Sequence, residues 1–176
     1  MRQPYRGQPT QTPVVSIVGR SGAGRTTLLE RLIPELKRRG YRVATVKHHA
    51  HAGFEVDQPG KDTWRHAQAG GEQVVIAAPD RVAAIRYVEG PLTLDEITNN
   101  VIHGVDIILT EGYRGADKPK IEVVRAARST EPLCESSELL AVATDVALSL
   151  DVPQFDLDDA VGLVDLIEAR FLGAGD

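Results

Sequence analysis

Residues 18–28 read VGRSGAGRTTL, and Gly19, Gly24 and Thr26 fall on the two glycines and the hydroxyl of the pattern G-x-x-x-x-G-K-[ST]. In such a loop the glycines let the backbone wrap a β-phosphate with its N–H groups pointing inward. The helix that follows adds its positive N-terminal end. The Thr26 hydroxyl is placed for a bound Mg²⁺. Arg25 stands where the pattern has lysine. It keeps the positive charge, but its guanidinium is planar, larger, and addresses phosphate as a fork and not as a point charge. Phosphate binding is expected to survive this change, with the geometry at the γ-phosphate degraded. The competing reading is a chance glycine turn, which the apolar strand before the loop and the helical pattern after it argue against.

A loop of this class needs a second acidic group at the end of a neighbouring strand, to hold Mg²⁺ or its water. The segment VDIILTEG offers Asp106 at its start and Glu111 at its end. Ligands of open α/β sheets gather at the carboxyl ends of strands, which selects Glu111; the bland alternative is a solvated loop carboxylate. Lys47-His48-His49 with His51 invites a metal reading, but the spacing fits no standard zinc pattern and no cysteine joins it. An anion site around Lys47 at a strand end is preferred over a metal site or a merely solvated loop. Asp57, Lys61, Asp62, Trp64 and Arg65 crowd a loop-to-helix segment, where charges are most often surface and a lone Trp most often packs. Asp145 ends LLAVATD. A carboxylate there could accept from N1–H and the 2-amino group of guanine and so choose GTP over ATP, although Thr-Asp after a strand is also an ordinary turn or cap.

These residues need elements to position them. PVVSIVG (13–19) is a short apolar, β-branched run that reads as a buried strand. From Thr26 to Arg39 the apolar positions Leu28, Leu29, Leu32, Ile33 and Leu36 recur at helical spacing, with Gly40 as the stop. Pro34 inside that helix should bend it without ending it. YRVATVKH gives the next strand, and this crossover implies a parallel, right-handed connection. A short helix is expected over 61–69. Two apolar runs around Pro79-Asp80 signal a hairpin, hence an antiparallel part in the sheet. Thr93 to Glu96 spell a capping box for a helix to about His103. VDIILTEG, IEVVRAA and LLAVATD are further strands. Asp158 is expected to cap a last helix to Leu172 with Val161, Val164, Ile167 and Phe171 on one face. The expected fold is a single α/β domain over 13–176 of the P-loop NTPase type, behind a flexible polar leader (1–12). Its central sheet is mostly parallel with an antiparallel hairpin, and helices lie on both faces.

Composition bounds the rest. The 176 residues are 42% hydrophobic and 26% charged, an ordinary globular balance. A net charge of −5 argues against a general nucleic-acid binder. No apolar run approaches the ~18 residues of a membrane helix, and the leader has no signal-peptide core, so the expected location is the cytoplasm. A single cysteine, Cys134, is read as a partly buried small side chain.

Taken together, GRSGAGRTTL (19–28), TVKHHAH (45–51), DQPGKDTWRHAQAGG (57–71), LTEGYR with PKIEVVR (109–114 and 119–125) and AVATD (141–145) resemble the MobB family of molybdopterin-guanine dinucleotide biosynthesis proteins. The match runs in order over about two thirds of the chain. The glycine loop is shared widely, whereas D-x-P-G-K-D-x-x-R and E-G-Y-[KR] with P-K-I-E are more specific. The resemblance implies a homodimeric GTP-binding protein that assists the guanylyltransferase joining GMP to molybdopterin, as an adapter with weak GTPase activity; molybdopterin itself is a further candidate ligand. It implies Gly19, Ser21, Gly22, Ala23, Gly24, Arg25, Thr26 and Thr27 as the phosphate-binding set, with Lys47 and His48 as a strand-end pair beside it. Asp145 lies where guanine recognition is sought, and Glu111 with Thr26 and Asp62 would serve Mg²⁺. No catalytic residue is assigned. Two other classes share these features. A small-molecule kinase would need an arginine-bearing lid, for which Arg125 and Arg128 are candidates. A non-catalytic module would hold an anion and recruit a partner.

Overall fold

The run VVSIVG forms β1 (Val14–Gly19), buried along its whole length, as a strand covered on both faces must be. The structure is a computed structural model that describes residues 12–49, 53–54 and 56–173. The described residues fall into two compact units, one up to His48 and from Thr98 onward, the other His49–Ile97.

In the first unit six strands lie in the order β2 (Val43–Lys47), β5 (Ile107–Glu111), β1, β6 (Lys120–Val124), β7 (Leu139–Thr144) and β8 (Gln154–Phe155). Every neighbouring pair is parallel. One face carries Val15, Ile17, Ile107, Leu109, Ile121, Val123, Ala141 and Ala143, packed with α1 (Arg25–Arg38) and α4 (Ala160–Ile167). Leu28, Leu32 and Leu36 deliver the stripe of α1 to this core at 2% exposure or less; truncating one such leucine to Ala typically costs ~2–5 kcal/mol. On the other face Val18, Val124 and Val142 meet Cys134 and the partly buried Leu148, Leu150 and Val152 of the connecting loops. Buried polar groups on that face are paired. Thr110 Oγ1 donates to Ser16 Oγ at 3.0 Å, and the Glu122 carboxylate accepts from the Leu133 and Cys134 amides at 2.6 and 3.0 Å.

Helix α1 runs through Pro34 as a single element, and Gly40, at φ 94°, turns the chain out of it. Two local expectations are corrected. The cap of α4 is Asp159 and not Asp158: its carboxylate accepts from the Gly162 amide at 2.8 Å. Val161 is 54% exposed, and Leu163 takes its place in the core beside Val164 and Ile167, because the helix starts later and its buried face rotates. A π-helical turn, Glu168–Leu172, continues the chain beyond it.

The second unit contains α2 (Asp62–Gln68), packed on an antiparallel hairpin of β3 (Gln73–Ala78) and β4 (Arg81–Arg86) that turns at Pro79-Asp80. This hairpin forms its own two-stranded sheet and adds no strand to the six-stranded one. Helix α3 (Leu94–Val101) opens with the expected reciprocal box: the Thr93 amide donates to Glu96 at 2.8 Å and the Glu96 amide to Thr93 Oγ1 at 3.2 Å. Among the described residues no helix is long and apolar enough to cross a membrane.

Candidate nucleotide site at the carboxyl end of the sheet

The glycine loop leaves β1 where that strand lies between β5 and β6. This is the kind of crevice, outside the carboxyl ends of parallel strands, where α/β folds bind ligands. Each motif glycine has a local reason. Gly19 sits at φ 144°, and a Cβ there would stand 2.6 Å from the carbonyl oxygen of Val123 on β6, so backbone conformation and the neighbouring strand both demand glycine. Gly24 caps α1 in the left-handed region, φ 112°, without a side-chain cap, so no side chain competes with a ligand for the first amides of the helix.

Opposite the loop, β5 delivers Glu111. Its backbone is in register with Ile17 on one side and Lys47 on the other. The Thr26 hydroxyl donates to Glu111 Oε2 at 3.0 Å, and Lys47 Nζ stands 3.4 Å from Oε1. Glu111, with its side chain only 12% exposed, therefore joins the helix hydroxyl to the cation at the end of β2. Asp106, the other candidate, belongs to the far end of the strand. Its carboxylate takes the Arg42 guanidinium at 2.6 Å and the Arg42 amide at 2.7 Å, and the guanidinium hydrogen bond holds it below the usual aspartate range.

The Lys47-His48 pair ends β2 next to the segment after β5. The His48 amide donates to the Glu111 carbonyl at 2.9 Å, and its ring lies 4.9 Å from that of Tyr113. Tyr113 takes φ 57°, unusual for a bulky residue. Gly112 before it is also in the left-handed region, and a Cβ there would press on His48 at 3.1 Å. Nothing in the composition of EGYR announces this His48–Tyr113 contact; the double left-handed turn creates it. His49 lies edge-on to Phe54 in the second unit, and His51 lies outside the described residues. Among the described residues no group of three or more His, Cys, Asp or Glu side chains could hold a metal ion by itself.

Two arginines after β6 reach the loop from the other side. Arg125 Nε donates to the Ala23 carbonyl at 3.1 Å, and the guanidinium of Arg128 lies over Gly22, where an added Cβ would meet it at 2.8–3.0 Å. Asp145, at the end of β7, accepts from the Ala126 amide at 2.7 Å through Oδ1, and so holds the turn that carries both arginines. Within the first unit the fold thus gathers Gly19–Thr27, Lys47, His48, Glu111 and Asp145 at one end of the sheet. Asp62 is the first residue of α2 in the second unit.

A parallel sheet with a glycine loop after its central strand, a helix hydroxyl and a strand-end carboxylate define a P-loop, NTPase-like α/β protein. The profile of MobB, described as "Molybdopterin guanine dinucleotide synthesis protein B", matches residues 14–145. The chain belongs to the MobB family. It is 39% identical, over 90% of its length and 89% of the relative's, to the molybdopterin-guanine dinucleotide biosynthesis adapter protein of Haemophilus influenzae (strain ATCC 51907 / DSM 11121 / KW20 / Rd). It is 36% identical to the protein of that name from Escherichia coli (strain K12), over 90% of the chain and 93% of the relative. Among solved structures it resembles a molybdopterin-guanine biosynthesis protein B with a TM-score of 0.69 at 32% identity, covering 89% of this chain and 98% of that one. Bacillus subtilis MobB gives 0.71 at 25% identity, covering 92% and 99%.

Proposed function

We propose that this chain is a GTP-binding adapter in the biosynthesis of molybdopterin guanine dinucleotide, serving the guanylyltransferase that joins GMP to molybdopterin and hydrolysing GTP weakly. The observation that carries the nucleotide part is the Thr26–Glu111 hydrogen bond at 3.0 Å. It pairs the hydroxyl of a phosphate loop with a carboxylate on the adjacent strand. These are hard oxygen donors of the kind Mg²⁺ takes in nucleotide sites, so Thr26 and Glu111 would hold the ion. Bound there, it would neutralise phosphate charge. The loop residues Gly19, Ser21, Gly22, Ala23, Gly24, Arg25, Thr26 and Thr27 bind phosphate, with Lys47 and His48 adding to the anion site. Asp145, oriented by its bond to the Ala126 amide, reads guanine. The adapter role is supported by the relatives' names.

The working form is a homodimer in the cytoplasm. Val75, Ile76 and Val82 of the hairpin are 54–68% exposed, and a two-stranded sheet with bare apolar side chains is marginal unless something covers it. Calorimetry with GTP and ATP in Mg²⁺ tests the ligand: binding of GTP tighter than ATP supports the reading, and equal affinity or no binding refutes the guanine claim. A pull-down with the guanylyltransferase, with and without GTP, tests the adapter role; no capture in either condition would overturn it.

A further inference from the structure

Resting on the nucleotide reading of the loop, we infer that Arg128 is a second phosphate-binding guanidinium, presented to the bound nucleotide by its own chain on the turn after β6. The guanidinium lies flat over Gly22, and all three of its nearest atoms would stand within 2.8–3.0 Å of a Cβ at that residue. This approach is open only because Gly22, at φ 72°, has no side chain.

The turn that carries Arg128 is braced from three directions. The Arg128 and Ser129 amides close back on the Arg125 carbonyl at 2.8 and 3.0 Å. Arg125 Nε is tied to Ala23 of the glycine loop at 3.1 Å. The Ala126 amide is tied to Asp145 at 2.7 Å. Several other arginines of this chain are taken up by acids. Arg38, Arg39 and Arg42 each pair with one, with N–O distances of 2.6–2.8 Å. Among the described residues no carboxylate pairs with Arg128. A chain of net charge −5 thus leaves a guanidinium over its phosphate loop, on a braced turn, without a carboxylate partner among the described residues. An incoming phosphate supplies a counter-charge, and a guanidinium fork matches its oxygens.

The bracing also connects the two ends of the nucleotide site. Asp145 holds the backbone of the turn, so the proposed guanine-reading carboxylate and the phosphate-binding Arg128 belong to one hydrogen-bonded segment. Asp145 is in this respect a positioning residue for Arg128.

The test compares the full chain with R128A and R128K, measuring affinity for GTP, GDP and guanosine in Mg²⁺ at two salt concentrations. R128A should weaken GTP and GDP about tenfold, the loss of roughly one charged hydrogen bond, and leave guanosine within about twofold. Its GTP affinity should also depend less on salt, because one screened charge has gone. R128K should recover part of the loss, and R128A should melt with the wild type. R128A binding GTP and GDP as the wild type does would overturn the proposal, and so would an equal loss of guanosine. A wild-type chain that binds neither GTP nor GDP would refute the nucleotide reading beneath it, a result separable from failure of the variants alone.

Discussion

The Thr26 hydroxyl donates to the Glu111 carboxylate at 3.0 Å across 85 residues of sequence, and parallel pairing of β1 with β5, with Ile17 level with Glu111, makes that contact possible. If the pair serves Mg²⁺, Glu111→Gln keeps the shape and removes the charge. GTP affinity in Mg²⁺ should then fall about tenfold towards its value in EDTA. The melting temperature should move by no more than about 4 °C, because part-exposed ion pairs contribute ~0–1 kcal/mol. Calorimetry with and without Mg²⁺ measures both affinities, and a variant that keeps its full Mg²⁺ response would remove Glu111 from the site.

Arg25 opens α1 where a phosphate loop ordinarily has lysine. If its guanidinium meets the γ-phosphate of a bound GTP, its bulk disturbs that contact, so Arg25→Lys should raise single-turnover GTP hydrolysis about tenfold, with GTP affinity little changed. An unchanged rate would mean that the guanidinium already does the work of the ammonium.

The α1–α4 contact carries a pH signature. Arg39 reaches Glu35 at 2.8 Å, Asp165 at 2.6 Å and Glu168 at 2.7 Å, and Tyr41 donates to Glu168 at 2.6 Å. Hydrogen bonds from Arg38 and Arg39 hold Glu35 down to about 2, from an ordinary 4.5. A depressed carboxylate contributes stability that is present above its unfolded pKa and lost as pH falls through the folded one. The hydrogen bond to Glu168 pushes Tyr41 up to about 12, from an ordinary 10.0, so its contribution is present below 10.0 and lost as pH rises towards 12. Melting temperature should decline below about pH 4.5 and again above about pH 10. In Arg39→Met the acid arm should flatten. Melts across pH decide this, and identical acid arms in wild type and variant would count against the cluster.

Cys134 is 7% exposed, and burial, with the nearby Glu122 carboxylate adding to it, pushes its thiol up to about 11. At pH 8 only about one thiol in a thousand is ionised. A disulfide reagent should therefore label the native protein at least ~100-fold more slowly than the unfolded chain. Rapid native labelling would show that the Glu122-pinned loop opens.

Local chemistry specifies several elements directly. VVSIVG had to be a covered strand, the leucine spacing had to make α1, Thr93 and Glu96 had to cap α3, and Gly19 and Gly24 had to shape the loop. These depend on neighbours within a few residues, and residue type reports them. That Glu111 and not Asp106 stands at the loop end of its strand was also legible, through the rule about strand ends, and so was the family. The start of α4 was not, because Asp158 and Asp159 are adjacent and equally suited to cap, and only the packing of Leu163 into the core decides between them. The hairpin was legible as a hairpin, but its separation from the main sheet was not, since two-residue alternation fixes pairing within the hairpin and says nothing of a third strand. The placement of Arg125 and Arg128 on the glycine loop, and of Asp145 beneath them, belongs wholly to the tertiary structure. It follows from strand order β1-β6-β7, and strand order is set by how whole strands pack and not by any residue's neighbours in the chain.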